Sequence, residues 1–172
     1  MDYDTAIDSE ELYEWLKLYD IAPLDEESLP PDRVLESIMG CGYIMTSTKG
    51  RTLASAHRMG CSVDISDSIF DEAEVAEIHL PLLKMKPWSW LWLLRIVMSL
   101  GYVDKRGISL ANARKRAEEG ALKLEKTTLE YGAVALVGHG GMNWLIGKVL
   151  EDRGWKCVEK SNLNWGISRF VI

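Results

Sequence analysis

The sequence predicts a three-layer α/β fold, in which helices flank a mostly parallel central sheet. Residues 133–137 form a short, apolar, β-branched run between two glycines, which is typical of a strand buried on both faces of a parallel sheet. Apolar residues then recur at helical spacing until Gly154, where the helix is expected to stop. The same order of strand, polar turn and helix occupies residues 43–59. Strands that alternate with helices indicate the α/β class.

Length and composition predict one domain that spans residues 1–172. A chain of 172 residues with 47% apolar content can bury one substantial core but is too short for two ordinary domains. The formal charge of -6 argues against a nucleic-acid partner, because binding to a phosphate backbone needs clustered Lys and Arg. The most hydrophobic run, residues 88–100, is shorter than the roughly 20 residues of a membrane span and contains Arg95. We therefore expect no membrane partner.

Neither the cysteines nor the histidines are arranged as metal ligands. The three cysteines, Cys41, Cys61 and Cys157, are an odd number without a CxxC motif, and no signal peptide precedes them. This pattern predicts free thiols in the cytoplasm. His57 and His79 share no metal-ligand spacing with each other or with the third histidine, so no metal and no cofactor is expected.

Two helices are predicted before the first strand. Asp8 or Ser9 caps the first helix, whose apolar residues fall at positions i, i+3, i+4 and i+7. These residues are Leu12, Trp15, Leu16 and Tyr19. The second helix begins at the two prolines at 30–31 and stops at Gly40 or Gly42. Its inward-facing residues are predicted to be Val34, Leu35, Ile38 and Met39.

The first strand is predicted at residues 43–45. Thr46 and Ser47 close this strand, and residues 49–59 follow as a short helix that carries Arg51 in its first turn. After this helix, a minor strand is predicted at 61–63 and an acidic stretch at 70–74.

The second half of the chain is predicted to contain two more helices before the stretch at 133–154. Residues 89–101 are apolar nearly all round, which indicates a buried helix or a hydrophobic cover. Ser109 caps a long helix that runs to Tyr131. Its predicted inward-facing residues are Leu110, Ala113, Ala117, Ala121 and Leu124. Residues 156–158 and 165–172 are predicted as the last two strands.

The turn after residues 133–137 predicts an anion site. It places His139 at the carboxyl end of a strand and in front of a helix, where free N–H groups and the helix dipole favour an anion such as phosphate. The amide of Gly140 adds a donor, and Arg51 offers a planar fork of donors to phosphate oxygens. Arg51 also fits a plain position on the helix surface, and that alternative stays open.

Three motifs resemble the histidine phosphatase superfamily, which has the phosphoglycerate-mutase-like fold. In TSTKGRTLASA (46–56), as in that family, a strand ends at serine and an arginine follows four residues later. GHGGMN (138–143) is similar to the family's second histidine motif, and FDEAE (70–74) lies where the family keeps its proton donor. The resemblance implies phosphate binding by Ser47, Arg51, His139 and Gly140, and catalytic roles for His139 and Glu72. Nearby acids, Asp71 among them, remain alternatives to Glu72.

One family motif does not occur. Members of the family begin with a buried strand that ends in Arg-His-Gly, whose histidine is the nucleophile, and these 172 residues contain no such stretch. The resemblance therefore implies that the first strand is missing. We expect a phosphohydrolase of this family, acting on phosphomonoesters, that is impaired or inactive, a possible pseudoenzyme whose partner is phosphate or a phosphorylated small molecule. The alternative is a non-catalytic phosphate-binding or protein-interaction module on the same fold.

The missing strand predicts a rearrangement of the sheet. In the family it lies between the strands that correspond to residues 43–47 and 133–137, and both of these are apolar enough to be central strands. Unpaired backbone groups along such a slot would cost about 1 to 3 kcal/mol each if buried. We expect the slot to be closed by direct pairing of the two strands, and otherwise by a segment of a second copy in a homodimer or by residues 1–7.

Overall fold

The structure is a computed structural model that describes residues 3–161 and 163–172. Its helices are α1 (Ser9–Ile21), α2 (Asp32–Met39), α3 (Gly50–Arg58), α4 (Pro87–Ser99), α5 (Leu110–Tyr131) and α6 (Gly140–Asp152), with a short 3-10 helix at Ser68–Phe70. Its strands are β1 (Tyr43–Thr46), β2 (Ile65–Ser66), β3 (Val134–Val137), β4 (Lys156–Glu159) and β5 (Arg169–Val171).

The chain forms two compact units. The first consists of Met1–Ala22 and Glu74–Ala113, and the second of Pro23–Ala73 and Arg114–Ile172. The second unit contains the five strands. One domain over residues 1–172 stays a prediction.

The central sheet of the second unit is parallel, with the strand order β2-β1-β3. β1 pairs with β3 directly, in a register that runs from Tyr43 opposite Val134 to Thr46 opposite Val137. The N–H of Gly42 extends this contact by donating to the carbonyl of Ala133 at 2.7 Å. The predicted direct pairing of these two strands is therefore confirmed, because their facing backbone groups bond to each other.

Two details of the sheet differ from the prediction. β3 is an edge strand and is half-buried along its whole length, so only β1 is central. The minor strand lies at Ile65–Ser66 rather than at 61–63. Asp64, just before this strand, contacts Ile44 twice: its side chain accepts the N–H of Ile44 at 2.7 Å, and its backbone N–H donates to the carbonyl of Ile44 at 3.0 Å. Asp64 therefore holds the start of β2 against β1.

Helices cover both faces of the sheet, which confirms the predicted three-layer α/β fold. On one face, Ile44 packs with Val34 and Ile38 of α2 and with Met59 at the end of α3. The alternation of a strand places Met45 on the other face, where it is also buried. The prediction that Met39 faces inward is wrong, because Val34 and Ile38 lie four residues apart on the inner face and leave it exposed.

The final strands form a separate antiparallel pair. β4 corresponds closely to the predicted strand at 156–158, whereas β5 is confined to three of the residues predicted at 165–172. The pairing shifts its register between Cys157 and Glu159. The parallel sheet thus has three strands in the described chain, and this hairpin is not part of it.

In the first unit, α1 and α4 pack through an apolar cluster. The side chain of Asp8 caps α1 by accepting the N–H groups of Glu10 and Glu11. In return, the carboxylate of Glu11 accepts the backbone N–H of Asp8. Leu12 of α1 packs with Trp90 and Leu94 of α4.

Of the two alternatives predicted for the apolar run of α4, a buried helix or a hydrophobic cover, the first does not hold. Only one side of the helix is covered, since Trp90, Leu91, Leu94 and Met98 are buried while Trp88, Trp92 and Ile96 are exposed. Within residues 3–161 and 163–172, no helix combines the length and the hydropathy needed to cross a membrane.

Asp104 joins two loops of the first unit. Its buried carboxylate accepts the N–H groups of Glu77, Arg106 and Ile108, and also the guanidinium of Arg106. Burial by itself would raise the pKa of this carboxyl, but the hydrogen bonds outweigh burial and lower the pKa from 3.8 to about 2.

We expect Asp104→Asn to lower the free energy of unfolding by about 1 to 3 kcal/mol at pH 7, since buried donors lose a charged acceptor. Because the pKa of Asp104 is lower in the folded than in the unfolded chain, its ionised carboxylate contributes fully to stability above the unfolded value of 3.8. This contribution is lost as the pH falls through about 2. Urea unfolding at pH 7 and near pH 2 should therefore show a difference from the wild type that vanishes in acid. The control is Lys105→Ala, at the exposed residue next to Asp104. A difference that does not change with pH would contradict this role.

Candidate functional site

The residues predicted to bind phosphate lie at one edge of the parallel sheet. β1 and β3 both end at this edge, because they are parallel and paired in register up to Thr46 and Val137. Arg51 is the second residue of α3, which follows β1, and it is partly buried. His139 is the N-cap residue of α6, which follows β3. The sequence order of strand, turn and helix therefore brings both turns to the same end of the sheet.

Ser47 and His139 contact each other directly across this edge. The Nε2 atom of His139 lies 2.8 Å from the Oγ of Ser47, although the two residues are 92 positions apart in the sequence. The same Oγ lies 2.8 Å from the Oγ1 of Thr52 and accepts the N–H of Lys49 at 3.2 Å. Ser47 and Thr52 are both buried, whereas His139 is partly exposed. A buried hydroxyl pair thus holds one ring nitrogen of His139.

The donors in this network can be arranged in two ways. The hydroxyl of Thr52 lies 2.8 Å from the carbonyl of Lys49 and 2.8 Å from the Oγ of Ser47, and it has one proton to donate. If that proton goes to Lys49, Ser47 donates to Thr52 and the Nε2 of His139 donates to Ser47; if it goes to Ser47, Ser47 donates to an unprotonated Nε2. The pair resembles a serine hydrolase dyad in distance, but Ser47 is buried, whereas the serine of such a dyad is accessible.

Glu72 lies at the N-terminus of α6 and caps it. Its carboxylate accepts the N–H of Met142 at 3.0 Å and the N–H of Gly141 at 3.4 Å. The N-cap residue, His139, makes no side-chain capping bond of its own. An internal carboxylate thus occupies part of the helix N-terminus that was predicted to receive phosphate. Gly140, the first residue of α6, is exposed.

Two more residues complete the connection between the turns: Asp71, an alternative to Glu72 as proton donor, and Arg116, which has no predicted role. Asp71 accepts the N–H of Thr48 at 2.8 Å and its hydroxyl at 2.9 Å, which ties it to the turn after β1. Arg116 of α5 donates from Nη2 to the carbonyls of Asp71 and Glu72, at 2.8 Å each. The dipeptide 71–72 therefore binds both turns, and Arg116 holds its backbone.

Arg116 is not among the residues of α5 that were predicted to face inward. The signal that places it elsewhere is its spacing, since it lies three residues after Ala113 and four before Gly120, both of which are buried. A Cβ on Gly120 would lie 3.3 Å from both Ile146 and Phe70, so the helix is closely packed at this point.

The side chain of Asn143 explains why the residue before His139 is a glycine. A Cβ on Gly138 would lie 2.4 Å from the Oδ1 of Asn143, so no larger residue fits there without displacing that side chain. This Oδ1 atom and the Oγ1 of Thr46 are both buried and have no hydrogen-bond partner among the described residues. Unused hydrogen-bonding capacity therefore lies near the ends of both β1 and β3.

The other two histidines are not part of the hydrogen-bond network around Ser47. His57 is exposed in the last turn of α3, and His79 belongs to the first unit, where its Nδ1 lies 3.5 Å from a carboxylate oxygen of Glu10. In the described part of the chain, no three His, Cys, Asp or Glu side chains are grouped so that they could hold a metal ion.

Comparison with known proteins finds a likeness in structure but not in sequence. No family model matches the chain, and no curated protein matches it. A solved structure named mycobacterial hydrolase 1 is similar, with a TM-score of 0.51 and 14% identity, over 88% of this chain and 86% of that one. The protein of the open reading frame Rv3214 from Mycobacterium tuberculosis gives a TM-score of 0.48 and 13% identity, over 91% and 89% of the two chains. The chain therefore has an α/β fold that it shares with a mycobacterial hydrolase.

Proposed function

We propose that this edge of the sheet binds the phosphate group of a phosphomonoester, on a fold of the histidine phosphatase type, and that the 172-residue chain hydrolyses such esters poorly or not at all. The observation that carries the proposal is the 2.8 Å contact between Ser47 and His139 at the ends of two directly paired strands. It brings a histidine donor to the edge where α3 begins with Arg51. A phosphate ion needs several such convergent donors.

Each residue has a distinct part in the proposed site. Arg51 supplies the planar fork of donors that matches two phosphate oxygens. His139 donates from Nδ1, which carries the ring proton when Nε2 accepts from Ser47, and the Gly140 amide adds one N–H at the start of α6. Ser47 holds the His139 ring and does not reach the ligand, because it is buried. The phosphate role first assigned to Ser47 thus becomes a positioning role.

Poor hydrolysis follows from what a phosphohistidine mechanism requires. One imidazole nitrogen must attack phosphorus in line, while other donors hold the equatorial oxygens and an acid protonates the leaving oxygen. The Nε2 of His139 is engaged with Ser47 at 2.8 Å in either proton arrangement, so it is poorly suited to attack. The 172 residues contain no Arg-His-Gly motif to provide a second histidine.

The nature of the proton donor is a separate part of the proposal. Glu72 remains the candidate that the family resemblance suggests, with Asp71 as the nearest alternative. Glu72 faces the start of α6, and both of its oxygens accept backbone N–H groups there. An anion that approaches this helix therefore competes with Glu72 for the same donors.

The cytoplasm is the location that we propose for the protein. Its three cysteines are free thiols, in keeping with a reducing compartment.

Titration calorimetry with phosphate, sulfate and vanadate tests the site. We expect dissociation constants in the high micromolar to millimolar range, or roughly 4 to 5 kcal/mol of binding free energy. Arg51→Ala should abolish binding, since it removes the only guanidinium proposed to contact the ligand. Arg33→Ala is a matched control, because it removes the same charge from a residue that pairs with Glu159. Unchanged anion affinity in Arg51→Ala would disprove the assignment.

A further inference from the structure

The exposed side of α4 carries a stripe of four large apolar residues, which we call the α4 stripe. Its exposed fractions are 49% for Trp88, 67% for Trp92, 53% for Ile96 and 82% for Leu100. The four residues are spaced four apart, so they form one i±4 ridge along the helix surface. The uncovered area amounts to on the order of 500 Å² if each ring and aliphatic chain is counted at its usual size. The largest apolar patch on a typical monomer measures about 300 to 600 Å², and a patch of this size often marks an interaction site.

We infer that the α4 stripe is a homodimer interface, in which α4 packs antiparallel against α4 of a second copy. The order of the residues supports this pairing. About the centre of the stripe, Trp88 lies as far on one side as Leu100 lies on the other, and Trp92 and Ile96 are related in the same way. An antiparallel twofold therefore places each indole against an aliphatic side chain of the other copy. A parallel pairing would place indole against indole at two levels.

The neighbouring rows of α4 decide which groove the second copy occupies. On one side of the stripe lies the row of Ser89, Leu93 and Val97, which carries no charge. On the other side the row contains the exposed Arg95. Packing of i±4 ridges into the uncharged groove gives a crossing angle of about 50° and leaves Arg95 of both copies at the rim.

The size of the stripe and the restricted side-chain freedom of Trp88 both fit a second copy. Two stripes bury a total of about 1,000 Å², which is the lower bound of a specific interface. Trp88 already packs edge-on against Trp15, with 6.4 Å between ring centroids, so little side-chain freedom remains to be lost. The area indicates a weak dimer with a dissociation constant in the micromolar range.

The charges near the stripe favour a second copy over an anionic membrane. Residues 78–103 contain no Asp or Glu, so the dimer would bury no carboxylate. The lysines that could attract lipid headgroups are already in ion pairs, Lys84 with Glu11 at 3.8 Å and Lys86 with Asp4 at 2.7 Å. Arg95 alone provides little attraction to a charged surface.

Sedimentation equilibrium of the full chain tests the interface. We expect a monomer–dimer equilibrium in which Trp92→Glu raises the dissociation constant at least about 30-fold, the effect of losing a central tryptophan. Leu129→Glu is the matched control, since Leu129 is as exposed but lies on α5. Because Trp92 is largely exposed, circular dichroism and the urea midpoint of the monomer should not change.

Disulfide trapping tests the direction of the pairing. A mixture of Trp88→Cys chains and Leu100→Cys chains should cross-link more readily than either variant alone. A wild type that stays monomeric at hundreds of micromolar, or a dimer that Trp92→Glu leaves intact, would overturn the inference. Cross-linking of Trp88→Cys chains mainly with themselves would overturn the antiparallel arrangement. Binding of a monomer to phosphatidylglycerol vesicles that is lost in Trp92→Glu would assign the stripe to a membrane instead.

Discussion

The 172-residue chain is expected to hydrolyse a generic phosphomonoester, such as p-nitrophenyl phosphate, at least about a thousandfold more slowly than a histidine phosphatase that has both motif histidines. Removal of a nucleophile leaves only the catalysis that positioning and charge provide. The proposed site retains donors for phosphate oxygens, but the Nε2 of its one histidine is engaged with the buried Ser47. Steady-state rates at saturating ester, corrected for the uncatalysed reaction, measure this loss.

His139→Ala provides the internal test of that prediction. We expect it to weaken phosphate binding and to reduce the small remaining rate only a few-fold, because a donor and not a nucleophile has been lost. His57→Ala is the control, since His57 is exposed at the far end of α3. A robust wild-type rate that disappears in His139→Ala would show that His139 itself forms the phosphoenzyme. In that case the contact with Ser47 must break during turnover.

The second large effect is expected at Glu72, whose replacement by alanine should lower the free energy of unfolding by about 2 kcal/mol. The reason is that two N–H groups at the start of α6 lose a charged acceptor close to the helix dipole. Glu72→Gln should recover part of the loss, because an amide oxygen is a weaker acceptor. Urea unfolding of the two variants measures both values.

Added phosphate separates the capping role of Glu72 from a catalytic one. In Glu72→Ala the vacated N–H groups can bind an anion, so millimolar phosphate should restore more stability to this variant than it adds to the wild type. Glu74→Ala, which removes an exposed acid two residues away, should behave like the wild type. Unaltered unfolding together with a selective loss of the remaining hydrolysis would instead identify Glu72 as a proton donor.

The two predictions concern the turns after β1 and β3, and the pair of acids at 71–72 connects these turns. Asp71 binds the turn after β1, Glu72 binds the turn after β3, and Arg116 fixes the backbone of both. A change in any of these three residues should therefore affect the position of both turns. This explains why effects on stability and on anion binding need to be measured together.

The local pattern of the sequence was enough to predict most of the elements. β1 and β3 were predicted from short apolar runs beside glycines. The cap of α1 was predicted at Asp8 or Ser9 from the polar residues before a helical repeat, and it lies at Asp8. The turns that carry Arg51 and His139 were predicted in the same way, since each follows a strand and begins a helix. Such features depend on residues within a few positions of each other, so periodicity and capping signals reveal them.

Tertiary structure decided the features that depend on distant residues. Glu72 caps a helix 69 residues further along the chain, and Ser47 bonds to a histidine 92 residues away. No local periodicity encodes such pairs, and Glu72 in an acidic stretch fits a solvated loop equally well. The exposure of the α4 stripe belongs to the same class. Hydropathy showed that α4 is apolar nearly all round, but only the packing of Leu12 against Trp90 and Leu94 determines which side is buried.

The direct pairing of β1 and β3 lies between these two cases. Apolar composition made both segments strands, and the cost of unpaired backbone groups required each of them to find a partner. The sequence by itself therefore determined that an open slot in the sheet would not persist. Which strand became the edge was decided by the tertiary structure, because β2 pairs with β1 on one side and leaves β3 with a single neighbour.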